Sequence, residues 1–373
     1  MMNSTKETSS VLDINTLLFQ CVELGASDIH VTENSKVRAR VHGELLEINE
    51  ALSSYQVKQL MGQMTNSVQQ QLFEQQGALD FGYSCSEGRR FRANVYRQMG
   101  RVAIAIRHLN NRFFSLDELQ LPGVLHDFIQ MKSGLVLVTG ATGSGKSTTL
   151  ATMLNELNRT RSVHIITVED PIEFVYENDK ALIHQRELHA DVPDFASAVR
   201  SSLREDPDVI MVGEMRDIET IRAAITAAET GHLVFSTLHT SDAVGVVERL
   251  VGSFPGNEQD VARSRLGMTL KAVISQHLVP TTNQTGRIPA VEILMVNNAV
   301  ANMIEQDKTR QIYALMESGR ADGMQTLDQA LALLVKDRWV SRDVAMRYAK
   351  NKMTFDKLLI HSLGYNNVSK RGS

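Results

Sequence analysis

Gly140-Ala-Thr-Gly-Ser-Gly-Lys-Ser147, preceded by Leu135-Val-Leu-Val138 and followed by Thr148-Thr-Leu-Ala-Thr-Met153, decides the fold. The octet fits G-x-x-x-x-G-K-[ST], a loop that wraps phosphate, and it stands in the context that pattern requires. The apolar run before it, bounded by Gly134 and Gly140, predicts a short buried strand. The stretch after it predicts a helix, so the loop's backbone N–H groups converge on an anion at a helix N-terminus. Gly140, Gly143 and Gly145, with Ala141, Thr142 and Ser144 between them, let the backbone curl closely around phosphates. In this pattern Lys146 reaches the β- and γ-phosphates and the Ser147 hydroxyl holds Mg²⁺.

Outward from the loop, apolar strands alternate with helical patterns, which predicts a parallel α/β sheet. Strands are expected at 135–139, 164–168, 209–212, 233–238 and 289–295. The second runs into Glu169-Asp-Pro-Ile-Glu173, three carboxylates in five residues. That turn is either a solvated acidic loop or, beside a phosphate loop, a place to hold metal or an attacking water. Val209-Ile-Met-Val-Gly-Glu214 resembles a Walker B strand with Gly213 at the usual metal-binding position. Glu214 then either pairs with Arg216 or orients water, and in this setting the second role is favoured. His232 and His239 flank one buried strand. A histidine is commonly a satisfied structural group, but two beside a nucleotide edge suggest γ-phosphate sensors, with Thr237 and Thr240 assisting. Residues 259–279 read as one amphipathic helix stopped by Pro280, and helices follow from Ile304 onward.

The first hundred residues read differently. A helix is predicted over 14–24, strands near 28–32, 37–42, 80–84, 90–97 and 102–107, and one or two helices over 53–74. This is an α+β domain with a mostly antiparallel sheet. Asp28 and His30 share a strand face, and arginines recur at 89, 90, 92, 97, 101, 107 and 112. These are either a solvated face and subunit contact, or a source of arginine fingers for a neighbour's nucleotide. The expected divisions are a disordered tail over 1–10, an N-terminal domain over 11–110, a linker over 111–121, the nucleotide domain over 122–298 and a helical subdomain over 299–373.

With 43% hydrophobic and 22% charged residues, the 373-residue chain can bury full cores, and two domains are the expectation. A net charge of −4 argues against a broad footprint for nucleic acid. No apolar run approaches 18 residues, so a cytoplasmic protein docked peripherally at a membrane machine is expected. Cys21 and Cys85 are too few for a thiolate zinc site.

Four ordered boxes now stand together: 140–147, Thr167-Val-Glu-Asp-Pro-Ile-Glu-Phe174, Val212-Gly-Glu-Met-Arg-Asp217, and 226–240 with its two histidines. Leu203-Arg-Glu-Asp-Pro-Asp208 lies among them, and Gly25-Ala-Ser-Asp-Ile-His30 and Gly323-Met-Gln-Thr-Leu-Asp328 extend the match to nearly the whole chain. The sequence resembles the type II/IV secretion ATPase superfamily, most closely its twitching-motility, PilT/PilU-type branch. That resemblance implies a hexameric ring with a PAS-like N-terminal domain and a RecA-like P-loop ATPase core. It implies ATP and Mg²⁺ at Lys146, Ser147 and Thr148, catalytic carboxylates at Glu173 and Glu214, and a sensor box with His232 and His239. The family's interdomain arginines fall on Arg92 and Arg107. The implied work is pulling pilin out of a type IV pilus fibre against an inner-membrane platform protein. Assembly and type II secretion relatives carry an extra N-terminal domain and four cysteines, which this chain lacks, so retraction is the better branch. One departure stands out: Ala299-Val-Ala-Asn-Met-Ile304 has Ala301 where the retraction branch has arginine. Dependence on a second PilT/PilU-type motor is the alternative it raises, ahead of a conjugation-type translocation ATPase.

Overall fold

The computed structural model describes residues 12–109, 111–283 and 286–368. The expected disordered tail, residues 1–10, lies outside the described residues. The chain forms two compact units that are not contiguous in sequence. The first takes residues up to Arg112 together with Glu169–Val175 and Gln185–Asp194, and the second takes the rest.

In chain order the first unit runs α1 (Ile14–Glu23), β1 (Ala26–Thr32), β2 (Ser35–Val41), β3 (Glu44–Leu52), α2 (Ser54–Met64), α3 (Ser67–Gln76), β4 (Ala78–Ser84), β5 (Arg90–Gln98) and β6 (Arg101–Leu109). The strands pair antiparallel in the order β3-β2-β1-β6-β5-β4. Their inward faces close over α1, α2 and α3 in a core that includes Leu17, Leu60, Phe73, Phe81 and Phe91. The predicted span 53–74 resolves into two helices because Asn66 starts a second capping box with Gln69, after the one between Ser53 and Gln56. Strand β3 was not expected. It is a largely exposed edge strand with acidic residues at 44, 47 and 50, so it lacks the apolar alternation that marks a half-buried strand.

The chain continues, in the second unit except for Glu169 and for Gln185–Glu187 of β9, with α4 (Leu125–Gln130), β7 (Gly134–Thr139), α5 (Lys146–Thr160), β8 (His164–Glu169), β9 (Leu182–Glu187), α6 (Phe195–Ser202), β10 (Val209–Val212), α7 (Ile218–Glu229), β11 (Leu233–Leu238), α8 (Gly245–Gly252), α9 (Gln259–Thr269), β12 (Leu270–Pro280) and β13 (Arg287–Met295). Its sheet has the order β13-β12-β7-β11-β10-β8-β9. From β12 to β8 the neighbours run parallel, and β13 returns antiparallel to β12. Leu135 to Val138 are fully buried, each side chain contributing about 1.5–3 kcal/mol of hydrophobic stabilisation. Leu116 and Leu121, in the stretch expected as a linker, are buried in this unit's core.

The single helix expected over 259–279 is corrected here. Only its first half is helical, and the second half is β12, hydrogen-bonded between β7 and β13. A strand buried on both faces carries near-continuous apolar residues, which helical spacing also accommodates, and the sheet register settles it. The polar strand β9 was likewise not expected. Beyond the sheet come α10 (Asn298–Glu305), α11 (Ile312–Ser318), α12 (Leu327–Lys336), α13 (Arg342–Tyr348) and α14 (Lys352–Val368). They pack partly around Leu331, Val340 and Phe355.

Candidate functional site

The phosphate-type loop leaves the carboxyl end of β7, between β12 and β11, at the sheet edge where open α/β folds take ligands. Gly140, Gly143 and Gly145 all adopt positive φ, at 142°, 75° and 90°. A Cβ at Gly140 would fall 2.4 Å from the Gln276 carbonyl oxygen and 2.6 Å from Ser144 Oγ. A Cβ at Gly145 would fall 2.7 Å from Gln276 Nε2. The loop therefore needs glycine for both conformation and space. Helix α5 begins at Lys146 directly after Gly145, and the first-turn residues include Ser147 and Thr148.

Gln276, at the carboxyl half of β12, is buried and braces this loop from below. Its Nε2 donates to the Ser144 carbonyl at 2.8 Å, and its Oε1 accepts from Thr149 Oγ1 at 2.7 Å. Sequence reading missed it, because the helix expected over 259–279 gave position 276 no reason to face residue 144. Ser144 Oγ is buried without a hydrogen-bond partner. A loop that aims backbone donors at a helix N-terminus and keeps a spare buried hydroxyl fits a triphosphate.

Around the loop the strand ends bring charged groups into line. The Lys146 ammonium donates to the carbonyls of Gly140 at 2.8 Å and Ala141 at 3.1 Å, and lies 3.5 Å from His239 Nδ1. The other ring nitrogen of His239 is 3.0 Å from Glu214 Oε1, and Glu214 Oε2 meets Arg216 Nη2 at 2.7 Å. Glu214 is largely buried, which pushes its carboxyl up. The hydrogen bond and charge of Arg216, with His239 facing it, outweigh that and hold Glu214 below the ordinary carboxylate range. Glu214 thus pairs with Arg216, the first of its two readings, and on its other oxygen meets His239, which stands beside the loop's lysine. Thr139 Oγ1 accepts from the Thr240 N–H at 2.9 Å, joining the ends of β7 and β11.

His232 does not join this group. In the parallel register Leu233 pairs with Gly134 and Leu238 with Thr139, so His232 sits at the opposite, amino edge of the sheet. Its Nδ1 lies 2.9 Å from the Ala227 carbonyl oxygen. The sensor reading of His232 is corrected to a structural one.

The remaining candidates belong to the first unit. Glu173 lies 3.7 Å from Arg92, whose guanidinium also meets Asp80 at 2.6 Å. Arg107 pairs across strands with Asp28 at 2.8 Å, and its side chain stays largely exposed. Burial pushes the Asp28 carboxyl up, but Arg107 and Ser27 bring it net below its ordinary value. Ala301 is half-buried on α10, on the side packed against α9, where its carbonyl would lie 3.3 Å from a Cβ at Gly267. Among the described residues, no group of three or more His, Cys, Asp or Glu is set to hold a metal ion. Among them too, no helix is long and apolar enough to cross a membrane.

A parallel α/β core with this loop, joined to a smaller antiparallel domain, is the architecture of secretion ATPases. The sequence profile of the type II/IV secretion system protein family matches residues 3–353, and the chain belongs to that family. It is 46% identical over 313 residues to a twitching motility protein of Neisseria gonorrhoeae, covering 84% of each chain. It is 44% identical over 340 residues to the type IV pilus retraction ATPase PilT of Pseudomonas aeruginosa, covering 91% of this chain and 98% of that one. The crystal structure of the pilus retraction motor PilT with bound ADP matches with a TM-score of 0.84 at 40% identity, over 93% of this chain and 99% of that one.

Proposed function

We propose that this chain is an ATP-hydrolysing motor that retracts a type IV pilus by drawing pilin subunits out of the fibre. The observation that carries it is the line Arg216–Glu214–His239–Lys146 ending in the phosphate-type loop, in a chain 44% identical to a type IV pilus retraction ATPase and 46% identical to a twitching motility protein. MgATP supplies the phosphoanhydride bond whose hydrolysis drives the motion. The backbone of Gly140–Gly145 and the first turn of α5, including Thr148, cradle its phosphates, and Lys146 exchanges its loop carbonyls for phosphate oxygens. Ser147, and Glu214 through water, hold Mg²⁺. When bound, that ion would neutralise charge on the phosphates. Glu173 activates the attacking water, and His239 reports on nucleotide state through Glu214. Arg107 acts on nucleotide as an arginine finger.

The working unit is a homohexamer at the cytoplasmic side of the inner membrane, acting on the pilus platform protein, and no nucleic acid is involved. A second reading, an accessory PilU-like ATPase dependent on a partner motor, is favoured by Ala301, which removes a five-donor cation from α10. ATPase turnover with light scattering on wild type, Lys146→Ala and Glu214→Ala tests both. Hexamers whose turnover disappears in both variants support the autonomous motor. Inactive wild type that turns over only with a second pilus ATPase replaces it with the accessory reading.

A further inference from the structure

Glu187 and Asn111 lie outside every motif described above, yet between them they hold the backbone on both sides of Glu173. On the near side the buried pair of Arg90 and Glu187 grips both peptide groups of Ile172. The Ile172 N–H donates to Glu187 Oε2 at 3.2 Å, and its carbonyl accepts from Arg90 Nε at 3.2 Å. The two side chains are themselves locked at 2.7 Å. Glu187 Oε1 accepts from the Gly82 N–H at 2.9 Å, and Arg90 Nη1 donates to Ser84 Oγ at 3.1 Å, which fixes the pair on β4. The pair packs directly over Gly82: a Cβ there would fall 2.0 Å from Arg90 Nη2 and 2.6 Å from Glu187 Oε2.

On the far side Asn111 does the same for Val175. Its Oδ1 accepts from the Val175 N–H at 2.8 Å and its Nδ2 donates to the Val175 carbonyl at 3.2 Å. All of these residues belong to the first compact unit. Side chains thus replace a strand partner at residues 172 and 175 and leave the carboxylate of residue 173 facing Arg92. The turn buries Pro171, and on either side of Glu173 its backbone is held by these side-chain bonds.

We infer that Arg90–Glu187 and Asn111 are positioning residues that set where the Glu173 carboxylate is presented. The inference rests on the proposed role of Glu173 as the group that activates water. A general base must stand within hydrogen-bond reach of the water it deprotonates. A misplacement of about 1 Å costs on the order of 100-fold.

The test is steady-state ATPase kinetics on the full-length protein for Glu187→Gln, Asn111→Ala, their combination and Glu173→Gln. Expected is a loss in kcat of about ten-fold or more for each clamp variant, with KM for ATP within about two-fold. Introduced into Glu173→Gln, neither substitution should lower the residual rate further. Asn111→Ala keeps the test usable should Glu187→Gln fold poorly, because Asn111 is exposed. Wild-type kcat in both clamp variants, with Glu173→Gln inactive, overturns the inference alone, as does an undiminished clamp effect in the Glu173→Gln background. Wild-type turnover in Glu173→Gln overturns the role of Glu173 itself, and the inference with it.

Discussion

Glu187 and Glu214 each meet an arginine at 2.7 Å, Glu187 with Arg90 in the first unit and Glu214 with Arg216 in the second. Their carboxyls are nevertheless moved in opposite directions. Burial pushes Glu187 up, and two backbone N–H bonds and the Arg90 charge do not bring it back. Burial also pushes Glu214 up, but Arg216 and His239 together bring it below its ordinary value. The difference is solvent and company: the Arg90 and Glu187 side chains are 10% and 7% exposed, whereas Arg216 is 64% exposed. A pair closed off on both sides holds backbone in place. A carboxylate with one wet arginine and a histidine leading to Lys146 stays ionised and available for chemistry.

The sharpest test of that contrast is Glu214→Gln. It keeps the volume and one hydrogen-bond acceptor but removes the charge, and kcat for ATP should fall by about 10²–10⁴-fold while the unfolding midpoint in urea changes little. A wild-type kcat would leave Glu214 as a strand-end ion pair and nothing more.

Next in size is the stability contrast between the two arginine pairs. Glu187→Leu strands the Arg90 guanidinium in a buried site, and urea unfolding should show a loss of about 3–5 kcal/mol. Arg216→Ala removes an exposed partner and should cost no more than about 1 kcal/mol. Equal losses would erase the distinction drawn here.

Gln276→Leu addresses the second unit alone. Removing the amide, donor and acceptor together, leaves the Ser144 carbonyl and the Thr149 hydroxyl without their buried partner, at a cost of about 1–3 kcal/mol. If that cost falls on the loop's phosphate-binding shape, KM for ATP rises about ten-fold with kcat nearly unchanged, and Thr149→Val moves the same way by less. A KM that stays put would make Gln276 a core residue with no hold on nucleotide.

How far the sequence alone reaches follows from the same residues. The loop, β7, β8, β10, β11 and the place of Glu214 and His239 are legible because each is a local pattern: an apolar run, then glycine or a polar strand end. Gln276 was not legible, since its partners lie 127 and 132 positions away and its strand carries helical spacing. Nor was Glu187, which acts on Ile172 and Gly82 from β9, a strand too polar to announce itself. His232 misled for the converse reason. It shares a box with His239 in sequence, but a six-residue strand separates the two edges of the sheet. The acidic turn groups with the first unit, where Arg90, Glu187 and Asn111 bond its backbone, and no periodicity encodes such bonds.

The smallest effect expected is one of acid–base linkage, and its sign separates the two carboxylates. Both have an ordinary value of 4.5, with Glu187 raised and Glu214 lowered in the folded chain. For Glu187 the folded state takes up a proton before the unfolded state does as pH falls. Wild type should therefore gain stability relative to Glu187→Gln as pH drops from the raised value toward 4.5, and level off below it. For Glu214 the charged form is the favoured one. The advantage of wild type over Glu214→Gln is fully present above 4.5 and is lost only as pH falls below that, through the lowered value. Each unit of pKa difference is worth about 1.4 kcal/mol, and subtracting variant from wild type cancels the titrations they share. Melting temperatures of the three proteins across the acid range should give slopes of opposite sign in two adjoining windows. Slopes of the same sign would mean that the Gly82 and Ile172 N–H bonds and Arg90 outweigh burial at Glu187 as Arg216 and His239 do at Glu214, and the contrast between the two carboxylates would go.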